Sequence, residues 1–407
     1  MNQNNTNTNS TLITFARLPI FDTKKNLWGY ELIYLSDAVI NADLMSDTSI
    51  ALEKIMDNKK NIMVEFSQQN IHDNLPYGLP PNRTIIKISD PESMSGPLIQ
   101  KLVKLKADNY KIALGWTRNH TECKEVFNLA DIIFVDIANQ VLPELTNIFT
   151  ATAPYDAMIL ANNVDSKTKF DICHGIEFTF FQGPFFKQLE DISAKKIMSG
   201  VISRFKIMEA IEQNDPDFDQ LAKIIQEDVT ISYRLLSHLN SASFGFRKKI
   251  VSIKDAITML GWHNLKNWLR VIILGEISEH KHASELVFLS AQRGKFLEQV
   301  GKDHDFWGFE PDSLFLLGMF SLLDALLNQP MDKIVKHIPL ADKLKGALCM
   351  EDNNEYVPLL NMARHFEEAQ FDKTRSMINK LALDFDKVDQ AFRDSIEWAN
   401  QLQDVTE

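Results

Sequence analysis

Two dipeptides, His72-Asp73 and His304-Asp305, have the make-up of a hydrolase metal-ligand pair, an imidazole nitrogen beside a carboxylate oxygen. Their settings argue against that use. His304-Asp305 lies in the polar connection Gly301 to Pro311, and His72-Asp73 in a different half of the chain, so both are expected on surface loops. His280 and His282 are two apart and would diverge on a helix instead of sharing a ligand face. Cys123, Cys173 and Cys349 are widely separated, with no CxxC or zinc spacing, which fits a reducing cytosol. The densest basic run, Arg247-Lys248-Lys249, reads as a solvated turn. Lys266 and Arg270 fall on the second helix of a helix-turn-helix-like stretch, Ala256 to Val271, with Gly261 at its bend. Trp262, Leu265, Trp268 and Leu269 give that helix the character of core, against a nucleic-acid role.

Composition narrows the classes further. The 407 residues carry 55 acidic against 43 basic side chains, a formal charge of −12, which disfavours approach to nucleic acid or an anionic membrane. Apolar residues make up 45% and charged ones 24%, as in soluble globular proteins, and the length accommodates two or three domains. Met1 to Ser10 lacks the basic start and apolar core of a signal peptide and reads as a disordered lead-in. No run reaches the ~20 apolar residues that span a bilayer. The longest approach, Ser313 to Leu327, is too short and contains Asp324, so a cytoplasmic protein without a membrane partner is expected.

The elements that must position any site change character along the chain. Short apolar or β-branched runs recur at Leu12–Ile20, Leu27–Leu35, Asn61–Phe66, Thr84–Ile88, Lys111–Leu114, Ile132–Ile137, Ala157–Ala161 and Ile176–Phe181. Helix-like segments such as Met94–Ala107 alternate with them, which predicts βα units closing into an eight-stranded barrel. About 180 residues is short for an architecture that typically takes ~250, so helices must be trimmed. From about Ser193 the spacing becomes helical, as in Leu221, Ile224, Ile225 and Leu235, Leu236, Leu239. Ser252 to Asp255 has the form of a capping box opening a helix over 252–260 that Gly261 ends. Asp312 to Leu327 is apolar around nearly its whole circumference and predicts a buried helix. Residues 191–200 lack a Pro- or Gly-rich linker, so a stiff junction and docked halves are expected.

Phe15-Ala16-Arg17-Leu18-Pro19-Ile20-Phe21-Asp22 followed by Gly29-Tyr30-Glu31-Leu32 resembles the start of an EAL domain. That resemblance implies a TIM-type barrel and a parent activity in which two divalent metals, held by carboxylates and an Asn at the strand ends, hydrolyse cyclic di-guanylate. It places the Glu of the family motif on Glu31, the Asn of the next strand on Glu65 and the Glu of the third on Lys87. An ammonium at a ligand position repels a metal instead of holding it. The resemblance further places an Asp pair on Gly115 and Trp116, an active-site Lys on Phe134 ahead of Asp136, and a later Glu on Asn162. Glu31, Glu65, Asp136 and Gln182 then remain as a vestigial pocket, too few oxygens for two metals, and a degenerate domain is expected.

The run Glu227 to Leu236, then Asn240-Ser241-Ala242-Ser243-Phe244-Gly245, Ser252 to Ile257 and Leu260-Gly261 resembles an HDOD domain. Such domains are similar in fold to HD-type metal phosphohydrolases but act in protein interaction. Where the hydrolases place their His-Asp pair, this chain has Ser321-Leu322 after Gly318-Met319-Phe320, so no metal site is implied there.

The expectation is therefore a multidomain α/β plus all-α protein. A lead-in over 1–10 precedes a shortened TIM-type (β/α) barrel of the EAL type over 11–192 and an all-helical HDOD (HD-like) bundle over 193–407. Its function is expected to be non-catalytic signal transduction through a signalling-protein partner, with no resident cofactor or metal. Cyclic di-guanylate sensing without hydrolysis is the alternative, and a homo-oligomer is left open. Of the aromatic clusters, Phe178 to Phe181 and Phe185-Phe186 are expected to be buried, and Trp307 and Phe309 to form a partner contact.

Overall fold

The computed structural model describes residues 14–35, 45, 48–49, 60–188, 199–213, 217–227, 231, 233, 235, 240, 255, 259–276, 283–304, 308–338 and 340–406. The chain divides into two compact units, Met1–Gly183 with His365–Phe371, and Pro184–Arg364 with Asp372–Glu407. The boundary expected at 192/193, the junction over 191–198 and the lead-in lie outside the described residues, as does most of the helix expected over 252–260.

Eight strands close the first unit into a barrel in sequence order: β1 Phe15–Asp22, β2 Leu27–Tyr34, β3 Asn61–Glu65, β4 Thr84–Ile88, β5 Lys111–Gly115, β6 Ile132–Asp136, β7 Met158–Asn162 and β8 Phe180–Gln182. Each expected run overlaps one of them, although β8 is three residues long instead of six and shares only Phe180 and Phe181 with its run. Strands β2 to β8 pair in parallel, whereas β1 runs antiparallel to both β2 and β8. A two-stranded hairpin joins β1 to β2: Asp22 accepts the Lys24 and Asn26 amides, each at 2.8 Å, and so fixes the turn. No crossover helix is needed there, which is one way a barrel of this length closes.

Period-two alternation fills both faces of the sheet. Ile20, Met63, Ile85, Ala113, Ile132, Leu160 and Phe180 form one apolar cluster with Trp28, Phe134 and Met158. The intervening residues, among them Ile62, Val64, Ile86, Ile112, Leu114 and Ile133, pack into a second cluster with Leu98, Leu102 and Leu105 of helix α2 (Gly96–Ala107) and Phe127 of α3 (Lys124–Phe127). Helix α1 is the short Gln68–His72, α4 is Leu142–Thr152 and α5 is Lys167–Gly175. The expected Met94–Ala107 helix begins two residues late, after a 3-10 turn at Pro91–Ser93.

The second unit is helical among its described residues. Its helices are α6 Ser199–Ile211, α7 Phe218–Glu227, α8 Trp262–Glu276, α9 Ala283–Asp303, α10 Pro311–Phe320, α11 Leu323–Leu327, α12 Met331–Ile334, α13 Asp342–Leu348, α14 Val357–Glu367, α15 Phe371–Lys380 and α16 Phe385–Thr406. The single buried helix expected over 312–327 is two: α10 ends where Ser321 donates its hydroxyl back to the Gly318 carbonyl at 2.5 Å. Burial around α10 is as expected, with Leu314 to Phe320 all enclosed. Helices α9 and α10 meet through glycines. A Cβ on Gly318 would lie 2.5 Å from the Arg293 carbonyl, and one on Gly294 would lie 2.9 Å from the Phe315 carbonyl.

Candidate functional site

The C-terminal ends of the barrel strands carry the polar residues that the inward parity of each strand delivers. Glu31 and Lys87 share parity with the interior residues Gly29 and Ile85, Glu65 with Met63, and Gln182 with Phe180. Three strands thereby bring their charges together around one ammonium. Lys87 Nζ lies 2.5 Å from Glu31 Oε1 and 3.2 Å from Glu65 Oε2. The Gln182 amide donates to the other Glu31 oxygen at 2.9 Å. Glu31 is 2% exposed and Lys87 8%, so this is a buried pair, while half of the Glu65 side chain meets solvent. Burial by itself pulls the Lys87 ammonium down, but the charges and hydrogen bonds of Glu31 and Glu65 hold it above its ordinary value.

The rest of the mouth is filled by hydrocarbon. The Phe134 ring lies 5.0 Å below the Lys87 ammonium, within cation–π range. Gly115 makes room for that ring: a Cβ there would stand 3.1 Å from Phe134 Cζ and 2.7 Å from the Ser89 carbonyl. Gly183 fixes the end of β8 behind Gln182, since its φ is +142° and a Cβ there would lie 2.3 Å from the Val164 carbonyl. The sequence-derived pocket is thus assembled in part. Glu31, Glu65 and Gln182 meet through Lys87, whereas Asp136 turns back to accept the Ala138 amide at 2.9 Å and, among the described residues, has no hydrogen bond to that group. Asn162 likewise accepts its neighbour's amide, that of Asn163, at 2.8 Å. A two-metal oxygen set does not fit this mouth, because one ligand position is a lysine already paired and the facing volume is a benzene ring.

In the second unit, Ser321-Leu322 sits beside another buried cation. Arg293 Nη1 donates to Ser321 Oγ at 2.6 Å, and Leu322 is buried. His304 is half-buried at the end of α9, not on a free loop; its Nδ1 lies 3.0 Å from the Val300 carbonyl and its Nε2 accepts the Asp384 amide at 3.1 Å. His72 ends helix α1 with its ring exposed, 3.3 Å from Asp73. Phe309 is half-buried and stacks at 4.5 Å on Tyr356, beside an apolar hollow lined by Leu314, Leu359 and Leu381. Trp307 lies outside the described residues. Phe178, Phe180, Phe181, Phe185 and Phe186 are buried, as expected.

Sequence reasoning missed an ion-pair network across α6, α8, α9 and α10. Arg270, fully buried, makes paired bonds of 2.6 and 2.7 Å to Glu212, which also holds Lys266 at 3.0 Å. The two cations of the helix-turn-helix-like stretch are therefore spent inside the protein. His263, Glu298 and Asp312 gather ligand atoms within 4.8 Å of one another. Yet Glu298 already binds Lys302 at 2.6 Å and Lys295 at 2.9 Å, and Asp312 lies 3.5 Å from Lys266, so ammonium groups hold the place a metal would take. Burial works against the Glu298 carboxylate, but the two lysines hold it below its usual range. The spacing of Lys295, Glu298 and Lys302 on one helix is the part of this network visible in sequence.

Residues 201–324 match the HDOD domain family. The chain carries an HDOD domain. Over nearly its whole length it is also similar to two bacterial proteins. Uncharacterized protein YuxH of Bacillus subtilis is 26% identical over 413 residues, covering 96% of this chain and 98% of that protein. Cyclic di-GMP phosphodiesterase CdgJ of Vibrio cholerae is 25% identical over 402 residues, covering 95% and 92%. Among solved structures, an EAL domain protein from Listeria monocytogenes aligns with a TM-score of 0.36 at 14% identity, over 43% of this chain and 87% of its own. The calcium and cyclic di-GMP complex of Klebsiella pneumoniae BlrP1 aligns with a TM-score of 0.36 at 13% identity, over 42% and 54%. The expected order, a closed eight-stranded barrel followed by a helical half that contains the HDOD match, is the one observed. Among the described residues no helix is long and apolar enough to cross a membrane.

Proposed function

We propose that this protein is a non-catalytic signal-transduction module of the cyclic di-guanylate type, acting through protein contacts of its HDOD and barrel halves. The observation that carries the reading is Lys87, bonded to Glu31 and Glu65 at the strand ends where metal-dependent hydrolysis needs oxygen ligands free to take a cation. Phe134 over Gly115 supports it, since the ring occupies volume a second metal and its waters would use. The similarity to a phosphodiesterase from Vibrio cholerae connects the chain to this signalling chemistry, and at 25% identity it leaves room for loss of the activity.

Calorimetric titration of the full chain with cyclic di-guanylate, with and without Mg²⁺, followed by chromatography of the cell contents, tests the reading. The expected result is no linear or mononucleotide product in either condition. No heat would leave an adaptor working through protein contacts alone. Heat without product would make the barrel a nucleotide sensor, the alternative favoured by the buried Gln182 amide oxygen, which has no hydrogen-bond partner among the described residues. Metal-dependent product would overturn the non-catalytic assignment.

A further inference from the structure

We infer that Phe218, Met259 and Trp262 form a docking surface on the helical half, and that it takes a basic segment of a partner protein anchored by an apolar side chain. The inference rests on the reading that the protein works through protein contacts, and it adds where one such contact lies and which chemistry it selects.

Phe218 opens α7 and Trp262 opens α8, and their rings meet edge to face with centroids 5.2 Å apart. Phe218 is 38% exposed and Met259 47%, whereas the next apolar residues of the two helices, Leu221 and Leu265, are buried. Gly261 turns the chain between Met259 and Trp262 at a φ of +75°, with open space where a Cβ would point. Large apolar side chains gathered on a surface and rimmed by polar groups mark contact sites, and aromatic residues and Met are enriched at interface centres.

The rim selects the charge of the partner. Asp217 precedes Phe218 and is exposed, and the exposed Asp255 stands one helical turn before Met259. Asp312 lies 3.8 Å from the ring of His263, the residue after Trp262, and leaves about half of its side chain in solvent. The lysine and arginine of α8 do not offset these carboxylates, because Lys266 and Arg270 are turned inward onto Glu212. An apolar centre with a carboxylate rim, on a chain of formal charge −12, attracts a cationic segment and repels an acidic one.

The test is fluorescence anisotropy of a labelled amphipathic peptide of leucine and lysine, titrated with the full chain beside a peptide of the same pattern with glutamate for lysine. The wild-type chain is expected to bind the lysine peptide, more weakly as salt rises, and to ignore the glutamate peptide. Phe218→Ser and Met259→Ser are each expected to weaken binding about tenfold while leaving the thermal midpoint nearly unchanged. Asp217→Asn combined with Asp255→Asn is expected to weaken binding and flatten its salt dependence. Should Phe218→Ser fail to fold, Met259→Ser decides, since its side chain is the more exposed of the two. No binding of the lysine peptide, equal binding of both peptides, or full affinity in the folded Ser variants would overturn the inference, the last by showing attraction to acidic surface in general. A concentration-dependent dimer in sedimentation that Met259→Ser dissolves would also overturn it, by giving the patch to a second copy of the chain. These readouts involve no nucleotide, so the two readings fail separately: product from cyclic di-guanylate sinks the non-catalytic one, and a peptide indifferent to the patch sinks this one.

Discussion

At the scale of single residues, buried charge decides most of the chemistry. Lys87 shows how far a sequence reading reaches: an ammonium at a ligand position is visible without coordinates, and the same resemblance puts Glu31 and Glu65 in one pocket with it. That Phe134 would lie beneath it was not visible, because the ring's place depends on Gly115 of the adjacent strand leaving a gap. Asp324 is a second case. Burial holds its carboxyl above the usual range, ahead of the opposing influence of the Ala325 amide, Arg364 and Arg293. A carboxyl with a raised folded-state value binds its proton more tightly when folded, so its contribution declines as pH rises through that value. Asp324→Asn is therefore expected to raise the thermal midpoint at pH 7 and to leave it nearly unchanged at pH 3, since Asn keeps the acceptor for the Ala325 amide. A lower midpoint at pH 7 would show that its pairing with the arginines outweighs its burial.

At the scale of elements, the α9–α10 contact depends on two glycines that bring the helix backbones together. Gly318→Ala would set a methyl 2.5 Å from the Arg293 carbonyl and 2.6 Å from the Gly294 nitrogen. Backbone on both sides cannot yield as a side-chain end can, and the expected loss is about 1–3 kcal/mol in urea denaturation. An unchanged midpoint would mean the helices separate without cost. The apolar circumference of this segment was legible from its composition. The break at Ser321 was not, because its hydroxyl bonds both the Gly318 carbonyl and Arg293 from a helix 28 positions earlier. Helix α8 illustrates the same limit. Its aromatic and leucine content marks it as core, but only the packed helices reveal that Glu212, the residue after α6, holds Arg270.

At the scale of the whole molecule, an overall charge of −12 and the sequestration of Lys266 and Arg270 both oppose nucleic-acid binding. Fluorescence anisotropy with duplex DNA at low salt is expected to show no saturable binding, and a salt-dependent affinity lost in Lys266→Ala would contradict this. Arg270→Ala is expected to cost stability of about 1.5–3 kcal/mol, because it removes the paired bonds to the largely buried Glu212 carboxylate and leaves it Lys266. A small loss would place that carboxylate in contact with water. The non-catalytic proposal also belongs at this scale: a buried basic side chain stands at the position where the EAL resemblance puts a metal ligand, Lys87, and another, Arg293, donates to Ser321 where the HDOD resemblance puts the hydrolases' His-Asp pair.

Sequence by itself determined what is local. The change from period two to helical spacing separated a barrel from a helical half, all eight strand positions were readable from short apolar runs, and the departures from the ligand pattern that the resemblances imply could be stated residue by residue, at Lys87, Gly115 and Ser321. Tertiary structure decided what joins distant residues. The reversed direction of β1 follows from the Asp22 turn together with its pairing to β8, some 160 positions away. The Phe134 plug, the Glu212–Arg270 pair and the His263–Glu298–Asp312 cluster each join residues from separate elements. No periodicity encodes such contacts, because side-chain spacing reports which face of an element is buried and not which charge of another element will meet it there.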